Sequence, residues 1–147
     1  MKAAATLLDT AELATRLRVG VWRIARRLRS EGKADLTATL LAAMGTIERH
    51  GPMTVGQFAG HEQVRKPTAT RTIGALVERG LVVRTPDPLD GRVSWLALSP
   101  EGRKTLVRVR RRHDEFLTRR IRALPADERA TLERAADILE RLVEGDR

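Results

Sequence analysis

The sequence has no cysteine and no tyrosine, and only two tryptophans, two phenylalanines and three histidines among 147 residues. Without thiols it can form no disulfide, offer no thiolate to a metal and work no cysteine redox switch. His50, His61 and His113 are scattered, with neither an HExxH pattern nor a paired-histidine spacing, so no metal site is expected. So few aromatics argue against the stacking platforms that hold single-stranded DNA or RNA. No apolar run approaches the length of a membrane span. The N-terminus lacks the charged-then-apolar order of an export signal, which makes the cytoplasm the expected location. There is no glycine-rich phosphate loop and no Ser/His/Asp set with supporting context, so the chain is not expected to be an enzyme or to carry a cofactor.

What the chain does have is helical pattern and positive charge. Hydrophobic residues make up 41%, enough to build a core, and the length suits a single domain across residues 1–147. The net charge of +9 favours a polyanionic partner but says nothing about fold. Its distribution is uneven: +5 over residues 1–34, +1 over 35–99, +6 over 100–122 and −3 over 123–147. The middle of the chain is nearly neutral, so local clusters matter more there than the total.

Asp9 and Glu12 have capping-box spacing ahead of Leu13, Leu17, Val21, Ile24 and Leu28, which recur at three- and four-residue steps and predict a first helix. Arg16, Arg23 and Arg27 lie on its polar side, and Gly32 breaks it. A second helix follows Thr37 and stops at Gly51-Pro52. Thr54 and Gln57 cap a short third helix that ends near Gly60. Pro67 suits the first turn of a fourth, which runs to Arg79 with Gly80 as a left-handed terminus. LVVRT and VSWLAL read as two strands, joined through Asp90-Gly91, a favoured tight-turn dipeptide. Ser99 and Pro100 restart a long helix, Pro125 breaks it, and a last helix follows. The predicted fold is mainly α with a small β-hairpin wing (α+β).

Two short helices joined by a tight turn and followed by a hairpin are the parts of a winged helix-turn-helix. On the fourth helix Ala69, Ile73, Leu76 and Val77 share one face, which belongs to the core. Thr68, Arg71 and Ala75 form the opposite face, flanked by Thr70, Thr72 and Gly74. That face is small, hydroxylic and positive, as reading a DNA major groove requires. The same composition also suits an ordinary solvated helix face. Arg92, just past the Asp-Gly turn, is placed to enter a minor groove, where negative potential concentrates. Asp90 either pairs with Arg92 or Arg84 or caps the turn, and so aims the arginine. The alternative is a surface ion pair with no further role. Asp87 looks out of place in a loop that faces phosphates.

The segments TVGQFA, VRKPTATRTIGALVERGLVVR, DPLDGR and LALSPEGR resemble the DNA-binding core of the MarR family of dimeric transcription factors, and the helix order extends the resemblance over nearly the whole chain. It implies a winged helix-turn-helix core at residues 37–99, with dimerisation helices at 9–34 and 100–147. It implies DNA contacts from Thr54, Arg65, Lys66, Pro67, Thr68, Thr70, Arg71, Thr72 and Arg92, with Arg84 and Asp90 positioning the wing. It implies dimerisation through Leu8, Leu13, Leu17, Phe116, Leu117, Ile121, Leu132, Leu139 and Leu142. Many such proteins are repressors that release DNA when a small molecule binds. The partners implied are therefore duplex DNA, a second copy of the chain and a small-molecule effector. Two departures stand out. Glu62 and Gln63 occupy positions where the family has an apolar residue and a glycine, and the scarcity of aromatics disfavours a pocket that stacks phenolic ligands. The competing reading is a ligand-binding or protein-interaction module that keeps the winged fold without reading DNA.

Overall fold

The computed structural model describes residues 9–32 and 36–144. Six helices and one hairpin follow in the order α1 Thr10–Gly32, α2 Ala38–His50, α3 Val55–His61, α4 Lys66–Glu78, β1 Val82–Pro86, β2 Ser94–Leu98, α5 Pro100–Arg122 and α6 Ala126–Glu144. The chain divides into two compact units, Met1–Arg112 and His113–Arg147, and α5 runs across the division as one helix.

Local chemistry accounts for most boundaries in the first unit. The Thr37 hydroxyl accepts the Leu40 N–H at 3.3 Å and opens α2. Thr54 and Gln57 complete a reciprocal capping box on α3, with bonds of 3.2 and 2.9 Å, so two otherwise unpaired donors are satisfied. Gly80 closes α4 at φ 67°, where a Cβ would be strained. Gly51 stops α2 differently. Its φ is −74°, so it is not a left-handed cap. Glycine is needed there because a Cβ would collide with the Ile47 carbonyl. At α1, the Asp9 backbone carbonyl accepts the Leu13 N–H at 2.9 Å.

The core lies between α2, α3, α4 and the hairpin. Met44, Ile47, Met53, Phe58, Ile73, Leu76, Val82 and Leu96 are fully buried, joined by Leu106 of α5. β1 and β2 pair antiparallel, with Val82 opposite Leu98, Arg84 opposite Leu96 and Pro86 opposite Ser94. A two-stranded ribbon is marginal alone, and this one does not stand alone. Met53, between α2 and α3, exchanges two backbone hydrogen bonds with Leu96, at 3.2 and 2.7 Å. Ser99 fixes the other end of the ribbon. Its hydroxyl donates to the Gly80 carbonyl at 2.6 Å and accepts the Gly102 N–H at 2.9 Å. Gly102 must be glycine, because a Cβ would overlap the Leu81 carbonyl.

In the second unit, Pro125 separates α5 from α6, and the Arg120 guanidinium lies over the Phe116 ring at 5.1 Å.

Candidate nucleic-acid interface

The α3–α4 turn is built without the glycine that the resemblance implies. Gln63 itself takes the left-handed conformation, φ 52°, and the Val64 N–H returns to the Ala59 carbonyl at 3.0 Å. Glu62 is half-buried and accepts a short hydrogen bond from the buried Thr46 hydroxyl of α2. Beside it the His50 and His61 rings stack with centroids 4.3 Å apart. The start of the turn is therefore pinned to α2 through the adjacent residues His61 and Glu62.

α4 starts at Lys66, with Arg65 as N-cap and Pro67 in the first turn as expected. Ala69, Ile73 and Leu76 are buried, while Arg65, Lys66, Pro67, Thr68, Thr70 and Arg71 are exposed. Thr72 is half-buried. Two sequence assignments shift: Ala75, expected to face outward, and Val77, expected in the core, are both half-buried and pack at the core's edge. The Thr70 hydroxyl donates back to the Lys66 carbonyl at 2.9 Å, which leaves its lone pairs outward to accept.

A concavity of about 370 Å³ joins three elements: Thr54, Val55 and Gly56 of α3, Lys66 and Thr70 of α4, and Arg84, Arg92, Val93 and Ser94 of the wing. Five of the residues singled out in the sequence thus converge on one feature. Arg65, Pro67, Thr68 and Arg71 remain on the exposed α4 surface and do not line it. Lys66, Arg84 and Arg92 make no ion pair among the described residues, and no carboxylate lines the concavity.

The wing loop differs from the tight turn predicted at Asp90-Gly91. Seven residues, 87–93, connect the strands, and Gly91 does not adopt positive φ. Asp87 organises the loop. One carboxylate oxygen accepts the Leu89 and Asp90 N–H groups at 2.8 and 3.0 Å, and the other accepts the Trp95 indole N–H at 2.8 Å. The Trp95 bond, then the two backbone bonds, hold the Asp87 carboxyl below the usual carboxylate range. Asp90 accepts the Arg92 backbone N–H at 3.0 Å. It caps the turn and forms no ion pair with Arg84 or Arg92. From the sequence Asp87 looks out of place and has no assigned role, although an Asp two and three residues ahead of unpaired N–H groups is a recognised turn former.

Four acidic residues of the near-neutral middle of the chain have partners within the protein. Glu62, Asp87 and Asp90 all accept hydrogen bonds from the protein, and Glu48 pairs with Arg110 of α5 at 2.7 Å. Lys66, Arg84 and Arg92 meet at one concavity with no carboxylate on its lining, so positive charge is concentrated there although the stretch as a whole is nearly neutral.

The MarR family model matches residues 36–94. The chain is 36% identical over 140 residues to an uncharacterized HTH-type transcriptional regulator of Mycobacterium leprae, covering 94% of this chain and 98% of that protein. Among solved structures it is similar to a putative transcriptional regulator of Pseudomonas aeruginosa, with TM-score 0.81, 34% identity, and coverage of 90% of this chain and 94% of the other. It shares its fold with Streptococcus pneumoniae FabT in complex with DNA, with TM-score 0.72, 18% identity, and coverage of 95% and 100%.

Proposed function

This chain belongs to the MarR family of transcriptional regulators, and we propose that it is a repressor that binds a near-palindromic operator as a homodimer and responds to a small-molecule effector. The observation that carries the DNA-reading part is the concavity between α3, α4 and the wing, lined by Lys66, Arg84 and Arg92 with no carboxylate. α4 enters the major groove, with Arg65, Lys66, Pro67, Thr68, Thr70, Arg71 and Thr72 along its reading edge and Thr54 on the adjoining phosphates. Arg92 reaches the minor groove, held there by the loop that Asp90 caps. FabT, which has this fold, was solved with DNA.

Residues 37–99 read DNA in this proposal, and 9–34 with 100–147 dimerise. The support is exposed apolar surface at each end. On α1, Leu13, Leu17, Val21 and Ile24 are exposed, and on α6, Leu132, Leu139 and Leu142. On α5, Leu117 is half-buried and Ile121 exposed, while Phe116 is already buried within the single chain. Leu8 lies outside the described residues. Two-fold symmetry then sets half-sites about one helical turn apart.

The effector rests on the family's habit rather than on an aromatic cage: Phe58 is fully buried and Trp95 is bonded to Asp87. Among the described residues no helix is long and apolar enough to cross a membrane, and we assign the dimer to the cytoplasm, with the chromosome. The reading of a winged module that ignores DNA drew on the near-neutral middle and on Glu62; against it stand the bond from Thr46 to Glu62 and the grouping of Lys66, Arg84 and Arg92 at the concavity.

The test is selection of binding sites from a random pool of 30-bp duplexes, followed by affinity against salt. A symmetric consensus and a steep fall in affinity with salt are expected. Recovery of unenriched sequence would overturn the reading.

A further inference from the structure

Leu89, in the wing loop, is 96% exposed, more than any other large apolar side chain among the described residues. An isolated exposed leucine needs no explanation in itself. This one differs in being held out by a loop with little freedom. Pro86 and Pro88 restrict the backbone before it. Its own N–H and that of Asp90 are bonded to the Asp87 carboxylate. Asp87 N–H donates to the Val93 carbonyl and Val93 N–H to the Asp90 carbonyl, both at 2.9 Å. A loop tied this thoroughly cannot readily fold its leucine back under cover. It also presents Leu89 three residues from Arg92, which lines the cationic concavity.

We infer that Leu89 is an apolar wedge that enters the DNA minor groove beside Arg92 and lodges against a flexible pyrimidine–purine step. The inference rests on the DNA-reading proposal. The arginine answers the negative potential of the groove, and the leucine meets the C–H surface of the sugars along its walls and the base faces exposed where a step opens. Aliphatic side chains placed this way partly unstack a base step, and TA and CA/TG steps yield most easily. Because the loop is already ordered, little conformational freedom is lost on insertion. In a two-fold dimer the wedge acts once in each half-site, so it reads deformability at two symmetric positions that need no base-specific hydrogen bond.

The experiment uses the full chain and the duplex that the parent protein selects from the random pool. Affinities of the parent, Leu89→Ala, Leu89→Asn and Arg92→Ala are measured over a range of KCl concentrations, with 2-aminopurine placed at the step under the wing. Leu89→Ala and Leu89→Asn should weaken binding about tenfold and leave the salt slope unchanged, whereas Arg92→Ala should lower the slope by about one. Emission from 2-aminopurine should rise with the parent and stay low with the Leu89 variants. Replacing the flexible step with a stiff AA step should weaken the parent and leave Leu89→Ala unaffected. Leu89 variants that bind within twofold of the parent at every salt concentration would overturn the wedge while leaving DNA reading intact. If the parent selects no duplex, the DNA-reading proposal fails and the wedge with it.

Discussion

The indole N–H of Trp95 donates to the Asp87 carboxylate at 2.8 Å and joins strand β2 to the loop that carries Arg92. The other oxygen of the same carboxylate gathers the Leu89 and Asp90 N–H groups. One acidic side chain in a basic surface therefore shapes the wing, and its negative charge is met by three donors of the wing itself.

The first consequence is a pH dependence local to the wing. The Asp87 carboxyl titrates below its ordinary value of 3.8, so its contribution to loop order is complete above the unfolded value and is lost as pH falls through the lower folded one. The Trp95 indole N–H resonance should hold its position from neutral pH down to the ordinary carboxylate range and move only below it. In Asp87→Asn that acid transition should vanish. A Trp95 shift centred above the ordinary carboxylate range would contradict the assignment.

DNA affinity separates the two arginines by kind of contact. Arg71→Ala should weaken binding to the selected duplex by about 1–3 kcal/mol. Arg92→Ala should weaken binding with little change in melting temperature, since its side chain makes no ion pair among the described residues. Anisotropy titrations beside calorimetric melting check both, and parental affinity in both variants would remove α4 and the wing from the interface.

The α3–α4 turn should respond to removal of its acid. Glu62→Ala leaves the buried Thr46 hydroxyl without its acceptor, a loss of about 1–3 kcal/mol, and Glu62→Gln should recover much of it. Gln63→Gly should stabilise by about 0.5 kcal/mol, because glycine carries no penalty at positive φ. Urea unfolding measures both changes, and a destabilised Gln63→Gly would mean that the glutamine side chain contributes something its backbone conformation does not reveal.

Two glycines should behave oppositely. Gly102→Ala drives a Cβ into the Leu81 carbonyl and should cost at least about 2 kcal/mol, since backbone on both sides must give way. Gly74 has open space at its Cβ position within α4, so Gly74→Ala should stabilise by about 0.5–1 kcal/mol. The same urea titrations rank them, and a neutral Gly102→Ala would show that the α5–β1 approach is looser than the structure has it.

Dimerisation is checked by charging the exposed leucines. Leu17→Glu and Leu139→Glu alter residues that are 41% and 39% exposed, so neither should unfold the chain. Sedimentation should show a dimer for the parent and a shift toward monomer for the variants. Unchanged dimers would place the interface elsewhere.

Helix order, the wing and most caps were legible in the sequence because they depend on partners within about one turn of chain. Thr37 with Leu40, Thr54 with Gln57, and Gly80 after α4 are contacts of this kind, and the order of elements follows from them. The six helices and the hairpin were therefore determined locally. Tertiary structure alone decided the bridge between Met53 and Leu96, the bond from Thr46 to Glu62, the pairing of Glu48 with Arg110 and the reach of Trp95 to Asp87. Each joins residues that no periodicity relates. Which charged side chains end up side by side depends on how folding brings distant segments together, and that is what gathers Lys66, Arg84 and Arg92 at one concavity within a nearly neutral stretch of chain.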